Sequence, residues 1–462
     1  MSALSTLSSL LLSTTLLLTG HGMQLTLLPL RASSIGHSDL QIALGGSAYF
    51  AGFIIGCLTV PRVIARVGHI RSFAVLASAM GSTLLLLGLS EHWLLWASLR
   101  LFLGLLICGL YTVIESWLND QASAENRGQI LSIYTFLVLA AMALGQQIVN
   151  AAPISSATPF MIVAAIISVS VIPVGLTRRL APAPIESTRS RIFFLFGRAP
   201  TAAIAAMASG AVTGSFWSLG AVFARRSLGG LEQATLFMTV TILGGALLQY
   251  VFGWLSDRLG RNSVLLLLGL LGTVTSSAVA MAADALQLMA AAFCFGAATM
   301  PMYSMALAAA ADNSLRHEFV EVGTSVLLLN AVGAVFAPLL MGQLIASFGP
   351  AWLFWGCAGC CSFASLCFFL LLWRKPKVDD VVPFTAAAPD MAPTRFDLDP
   401  RAPEDAEGNL EGAPEPASLQ DADNEALDAA LEPEAGAGPG LESEDDYGSD
   451  LEPESESEPR ER

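Results

Sequence analysis

Lysine is almost missing from this chain of 462 residues: there are two, Lys375 and Lys377, on either side of a proline. Without a glycine-rich turn that ends in lysine there is no nucleotide-binding loop, so ATP is not expected to drive anything here. Charge of either sign is scarce at 13%, whereas 54% of residues are hydrophobic and the mean hydropathy is +0.62. A soluble domain needs a polar shell, and this composition cannot supply one. Neither a Gly-x-Ser-x-Gly elbow nor a His-Glu-x-x-His pair occurs, so an enzyme is not expected. All seven cysteines (Cys57, Cys108, Cys294, Cys357, Cys360, Cys361 and Cys367) fall in apolar stretches, where a thiol behaves as a small hydrophobe. Cys357, Cys360 and Cys361 sit among Leu and Phe without the His or carboxylate that metal coordination requires. No disulfide, metal or other cofactor is expected, and no nucleic-acid partner.

What is present is a series of apolar runs. A bilayer core about 30 Å thick takes roughly 20 residues of helix per crossing. Twelve segments of that kind fit, at 4–29, 41–61, 72–89, 94–118, 129–150, 159–176, 199–223, 234–255, 263–283, 286–310, 323–346 and 351–373. The first lacks a basic flank and exceeds the length of a signal core, so it reads as a retained helix. The formal charge of −15 is unevenly placed: residues 374–462 hold 26 acidic and 7 basic side chains, against 12 and 16 in residues 1–373. That Pro-, Ala-, Gly- and Glu-rich tail cannot bury enough apolar surface to offset ordering and is expected to be disordered. Positive residues stay on the cytoplasmic side of short loops. With the N-terminus inside, the cytoplasmic loops collect fifteen Lys and Arg, whereas the outer side has Arg31, Arg225 and Arg226. Both termini are therefore expected in the cytoplasm, with the protein spanning the inner membrane.

The chain also repeats itself. Arg66-Val67-Gly68 recurs as Arg258-Leu259-Gly260, Gly104 as Gly296, Tyr111-Thr112 as Tyr303-Ser304, and Asp120 as Asp312, each 192 residues later. This predicts an all-α membrane protein of two related six-helix bundles, residues 1–176 and 199–373. A basic cytoplasmic linker (177–198) joins them, with an interfacial stretch at Ile192–Phe196, and an acidic tail (374–462) follows.

Between the eighth and ninth segments, Gly253-Trp-Leu-Ser-Asp257-Arg258-Leu-Gly260-Arg261 resembles the G-x-x-x-D-R-x-G-R signature of the major facilitator superfamily. The twelve segments and central linker extend that resemblance over residues 1–373. It implies alternating access by rocking of the two bundles. It also implies a charge latch at the cytoplasmic loop, in which Gly253, Asp257, Arg258, Gly260 and Arg261 take part. The matching first-half loop has Pro61 and Ala65 where Gly253 and Asp257 stand, so inner closure is expected to lean on the second half. Glu115-Ser-Trp117-Leu-Asn119-Asp120 and Glu125-Asn-Arg127-Gly128-Gln129 are similar to the YcaD-like bacterial members. The fifth segment reads Leu144-Gly145-Gln146-Gln147 where drug antiporters of this family carry Gly-Pro, which weakens multidrug export.

Arg100 and Gly104 match the family's R-x-x-x-G pattern in the fourth segment. A charge at mid-helix costs roughly 2.5–3.5 kcal/mol to insert, so Arg100 is expected either at a substrate or coupling site or tied to helix carbonyls. Tyr111 and Glu115 share its helical stripe. At about 1.5 Å rise per residue Glu115 lies some 22 Å away and cannot pair with it. In the first segment His21, with Gln24 a turn on, falls at a depth similar to that of Arg100. An imidazole suits proton exchange, or it merely bonds to a neighbouring helix. From the second half Trp217 and Tyr303 add aromatic surface, with Pro301 expected to break its helix. The expectation is a monomeric, proton-coupled transporter of a small solute. The alternatives are proton-driven efflux of amphipathic toxicants, and a sensor or scaffold that uses its acidic tail.

Overall fold

The computed structural model describes residues 3–122, 127–176, 192–314 and 318–372. The sequence-predicted tail and residues 177–191 of the linker lie outside them. The described residues form helices joined by short turns, with no strand. In chain order they are α1 (Ala3–Ser34), α2 (Asp39–Val67), α3 (His69–Leu89), α4 (Trp93–Asp120), α5 (Arg127–Ile148) and α6 (Thr158–Gly175). The short α7 (Ile192–Arg198) coincides with the apolar stretch read in the linker. Then come α8 (Pro200–Leu228), α9 (Leu231–Leu259), α10 (Arg261–Met281), α11 (Ala285–Thr299), α12 (Pro301–Ala311), α13 (Phe319–Phe348) and α14 (Trp352–Leu372). The break between α11 and α12 is the one expected at Pro301. Proline has no N–H to donate, and its ring collides with the carbonyl one turn back.

Eleven spans among the described residues are long and apolar enough to cross a membrane, α11 and α12 counting together. The 32-residue α1 is not one of the eleven. Its Ser13, Thr14, His21, Gln24 and Thr26 are fully buried, so the polar side chains that dilute it face protein instead of lipid. The lipid-facing sides are bare hydrocarbon: Leu89 is 81% exposed, Leu286 80% and Phe136 69%. Such a surface is stable in a bilayer and adhesive in water. The membrane supplies the solvent for it.

The repeat governs packing as well as sequence. A methyl group added at Gly104 would collide with the Tyr49 carbonyl, and one at Gly296 with that of Thr241, 192 residues on in each case. The same offset relates Gly52 against Leu101 to Gly244 against Phe293, and Gly22 against Met142 to Gly214 against Ala334. Small residues allow helix backbones to meet closely in lipid, where no hydrophobic force draws helices together. Gly68 and Gly260, also 192 apart, both bend the chain with φ near +88° and +82°, a region that side-chain-bearing residues avoid. α1–α6 thus pack as one bundle and α8–α14 as its counterpart.

The bundles meet chiefly through α2 against α13, and also through α2 and α1 against α8 and α5 against α9. Near the predicted outer end Arg226 of α8 is 2.8 Å from Asp39 of α2. Gln147 of α5 donates to the Thr239 hydroxyl at 2.6 Å, and Asn150 to the Thr235 hydroxyl at 2.8 Å. At the same end Gly342 of α13 lies against Ala43 and Asp39 of α2, and Gly46 against Ser218. The halves are tied together at that end.

Candidate functional site

Two side chains predicted from separate segments, His21 of α1 and Arg100 of α4, converge on one residue that the sequence did not single out, Tyr49 of α2. Its hydroxyl is 3.4 Å from His21 Nε2, and its ring stacks on the imidazole with centroids 6.2 Å apart. The Arg100 guanidinium lies over that ring, 5.0 Å from the centroid. Tyr111 meets His21 edge-on, also at 6.2 Å, and Gln24 Nε2 is 2.8 Å from His21 Nδ1. His21, Gln24 and Tyr111 are fully buried and Arg100 is 5% exposed.

The two ends of the Arg100 guanidinium are placed differently. Nε donates to the Gly45 carbonyl at 3.3 Å, which is the tie to a helix carbonyl. Nη1 is buried and meets no acceptor, which leaves donor capacity on a charged group inside the protein. Tyr49 faces Arg100 because its own backbone carbonyl sits on Gly104, one turn along the same α4 stripe. The glycine of R-x-x-x-G therefore positions the ring that the arginine covers.

The other predicted site residues are placed elsewhere. Glu115 is fully buried, as the stripe requires, and accepts a hydrogen bond from Tyr134 of α5 at 3.1 Å, toward the predicted cytoplasmic end. Trp217 packs on Phe216, within a cluster that continues through Phe237, Phe295 and Phe354. Tyr303 is 1% exposed in α12. The described contacts do not bring either aromatic to His21 or Arg100.

At the predicted latch the centre is Arg261. It reaches Asp257 at 2.6 Å, Asp312 at 3.3 Å and the Ser256 hydroxyl. Arg261 and Asp312 are nearly buried, at 4% and 5% side-chain exposure, whereas Asp257 is 41% exposed. Arg258, placed in the latch from its motif position, instead lies 3.9 Å over the Trp254 ring. Gly253 supplies the carbonyl that holds Ser256, and Gly260 makes the bend that points Arg261 back into the bundle. The network ties α9, α10 and α12 within one bundle. In the first half the corresponding positions are Ala65, His69 and Asp120, and His69 Nε2 lies 2.9 Å from the Ser116 hydroxyl.

Sequence reasoning missed Tyr49, the Asp39–Arg226 pair, and Gln146 and Gln147. Gln146 donates to the Gly22 carbonyl at 3.0 Å and accepts from Thr26, fixing α5 to α1 beside His21. The one available signal was polarity: two adjacent glutamines in an apolar run carry four hydrogen-bonding groups that lipid cannot satisfy.

Residues 202–408 match the family model described as Major Facilitator Superfamily. Over 336 residues the chain is 28% identical to the MFS-type transporter YcaD of Escherichia coli, covering 71% of this chain and 86% of that one. The chain thus resembles the major facilitator superfamily. Among solved structures, the fold is similar to that of the nucleoside transporter NupG, with a TM-score of 0.69 at 13% identity, covering 80% of this chain and 100% of that one. A bacterial homologue of the human lysosomal transporter Spinster, in an inward-facing and occupied conformation, matches with a TM-score of 0.64 at 16% identity, covering 80% and 96%. At those identities the likeness is one of fold. The protein is a multi-pass membrane protein similar to bacterial transporters.

Proposed function

We propose that this protein is a secondary active transporter of the major facilitator superfamily. It moves a small solute across the cytoplasmic membrane, with residues 1–176 and 199–373 rocking about the solute and protons as the coupling ion. Both termini would lie in the cytoplasm, as the distribution of arginine indicates. The observation that carries the reading is the buried group of His21, Gln24, Tyr49 and Arg100. An imidazole and a guanidinium share one tyrosine ring inside a helix bundle, where an ionisable side chain is expensive and usually functional.

Their chemistry suits coupling. A proton taken by His21 puts a second cation on the ring that already holds Arg100, and two like charges at that range in a medium of low dielectric repel strongly. Anything that binds to or leaves Arg100 therefore alters how readily His21 holds a proton, which links two binding events by one free energy. Closure at the predicted outer end, through Asp39 and Arg226, would alternate with closure around Arg261 at the other.

The test is reconstitution into vesicles with an imposed pH gradient, in parallel with labelling of cysteines introduced at the seam between α2 and α13. Labelling should switch faces when the gradient is reversed, and an extract containing the solute should collapse the gradient. A protein whose seam stays open to one face under every gradient is not a transporter of this kind.

A further inference from the structure

At the predicted outer end of the first bundle a pocket opens between α1, α2 and α4. Its lining includes Pro29, His37, Gln41, Trp93, Trp96 and Arg100. The two indoles and the proline form apolar walls. Trp96 has its N–H committed to the Ser90 carbonyl at 2.6 Å and its ring edge-on to His37, so it is held in place. Gln41 uses its amide oxygen to cap the Ser38 N–H at 2.9 Å, which leaves its NH2 as a donor.

The charge balance in this pocket is one-sided. Among the described residues no carboxylate lines it. The acids nearest along the chain are engaged elsewhere: Asp39 pairs with Arg226 at 2.8 Å, and Glu91, 70% exposed, faces Arg31 at 3.5 Å. Arg100 is thus a buried cation without an acid, and its Nη1 has no acceptor. A carboxylate can accept two parallel N–H bonds from a guanidinium, and a charged donor left without an acceptor is the costlier state.

We propose that this pocket binds the anionic end of a small amphipathic solute, with its carboxylate on Arg100 and Gln41 and its apolar body between Trp93 and Trp96. As a statement about cargo this rests on the transport reading above. An anion on Arg100 offsets the repulsion a proton on His21 would meet, so anion and proton would travel in the same direction.

The full-length protein, in detergent free of anionic lipid, is titrated with 4-phenylbutyrate and with its uncharged amide while tryptophan fluorescence is followed. The acid should quench saturably and the amide at least about tenfold more weakly; Arg100→Gln should weaken the acid by about tenfold or more, and Gln41→Ala by a few-fold. Equal binding of acid and amide, or unchanged affinity in Arg100→Gln, overturns the proposal. Should Arg100→Gln fail to accumulate, the acid-to-amide ratio and Trp93→Ala decide. Repeating the titration in discs of phosphatidylcholine with and without phosphatidylglycerol separates the sources of the anion. Protection by phosphatidylglycerol with no response to the acid in either disc assigns the pocket to a lipid headgroup and sinks the proposal. Counterflow of the radiolabelled acid in vesicles separates the two readings. Binding without flux sustains the site and removes the transport reading, and flux without binding here does the reverse.

Discussion

The two bundles share a backbone plan, yet they hold their charges in opposite places. In the first, Arg100 and His21 are buried in the wall; the positions 192 residues later are Ala292 and Thr213, and Tyr49 is matched by Thr241. In the second, Arg261, Asp257 and Asp312 knit the predicted cytoplasmic turn, where the first has His69, Ala65 and Asp120. Duplicated packing thus survives through glycine, because a backbone contact tolerates no side chain. The charged groups have been free to diverge, which under the proposed function assigns recognition and coupling to one bundle and closure to the other.

The largest effect should come from removing the charge that only the first bundle carries. Arg100→Ala is expected to lower transport roughly a hundredfold or more, the loss of a charged contact of about 3 kcal/mol at 1.4 kcal/mol per decade, while the protein still inserts. Wild-type flux in that variant would remove Arg100 from the site. Next comes the buried part of the latch. Asp312→Asn removes the buried carboxylate of Arg261, leaving the 41% exposed Asp257 among the described ones, and should destabilise the second bundle by about 3 kcal/mol, measured as thermal unfolding in detergent. Asp257→Asn should lower stability by under about 1 kcal/mol, because its carboxylate is solvated, and act mainly by shifting the balance of inward and outward states. Unchanged cysteine accessibility on both faces of Asp257→Asn would count against the latch.

The packing repeat makes a sharper demand, since it predicts equality where the charges predict difference. Gly104→Ala and Gly296→Ala both drive a methyl into a carbonyl of the neighbouring helix, and each should cost about 1–3 kcal/mol. If one were tolerated and the other not, the bundles would differ in packing as well as in charge.

These comparisons also show what one sequence can disclose. The helices, the break at Pro301 and the two-bundle plan were legible because apolar length, proline and a fixed offset are local or additive signals. Arg100 and His21 stood out because charge in an apolar run is conspicuous. Tyr49 did not, since a tyrosine in a membrane helix looks the same whether it faces lipid or carries a site. The motif gave Asp257 and Arg258 equal standing with Arg261. Burial separates them, and burial depends on α12 delivering Asp312 from a distant stretch of chain. Asp39 and Arg226 were visible only as charges in outer turns, and their pairing follows from how the bundles lean together.

The smallest effect should come from giving the first bundle what it lacks. Ala65→Asp with His69→Arg places an acid and a guanidinium one turn apart at the bend after α2, with Asp120 in the position that Asp312 holds in the second bundle. Position 65 is exposed, but His69 is 1% exposed and its contact with Ser116 is lost, so the net gain in stability should be at most about 0.5–1 kcal/mol. The direction matters more than the size. A second network at the predicted cytoplasmic turn would favour closure at that end, and labelling at the α2–α13 seam should rise as Arg226 and Asp39 part more often. If the double variant gained stability while the seam kept its labelling, the networks would be bundle staples without influence on which end is closed. Asp257 would then have to act through its own bundle alone.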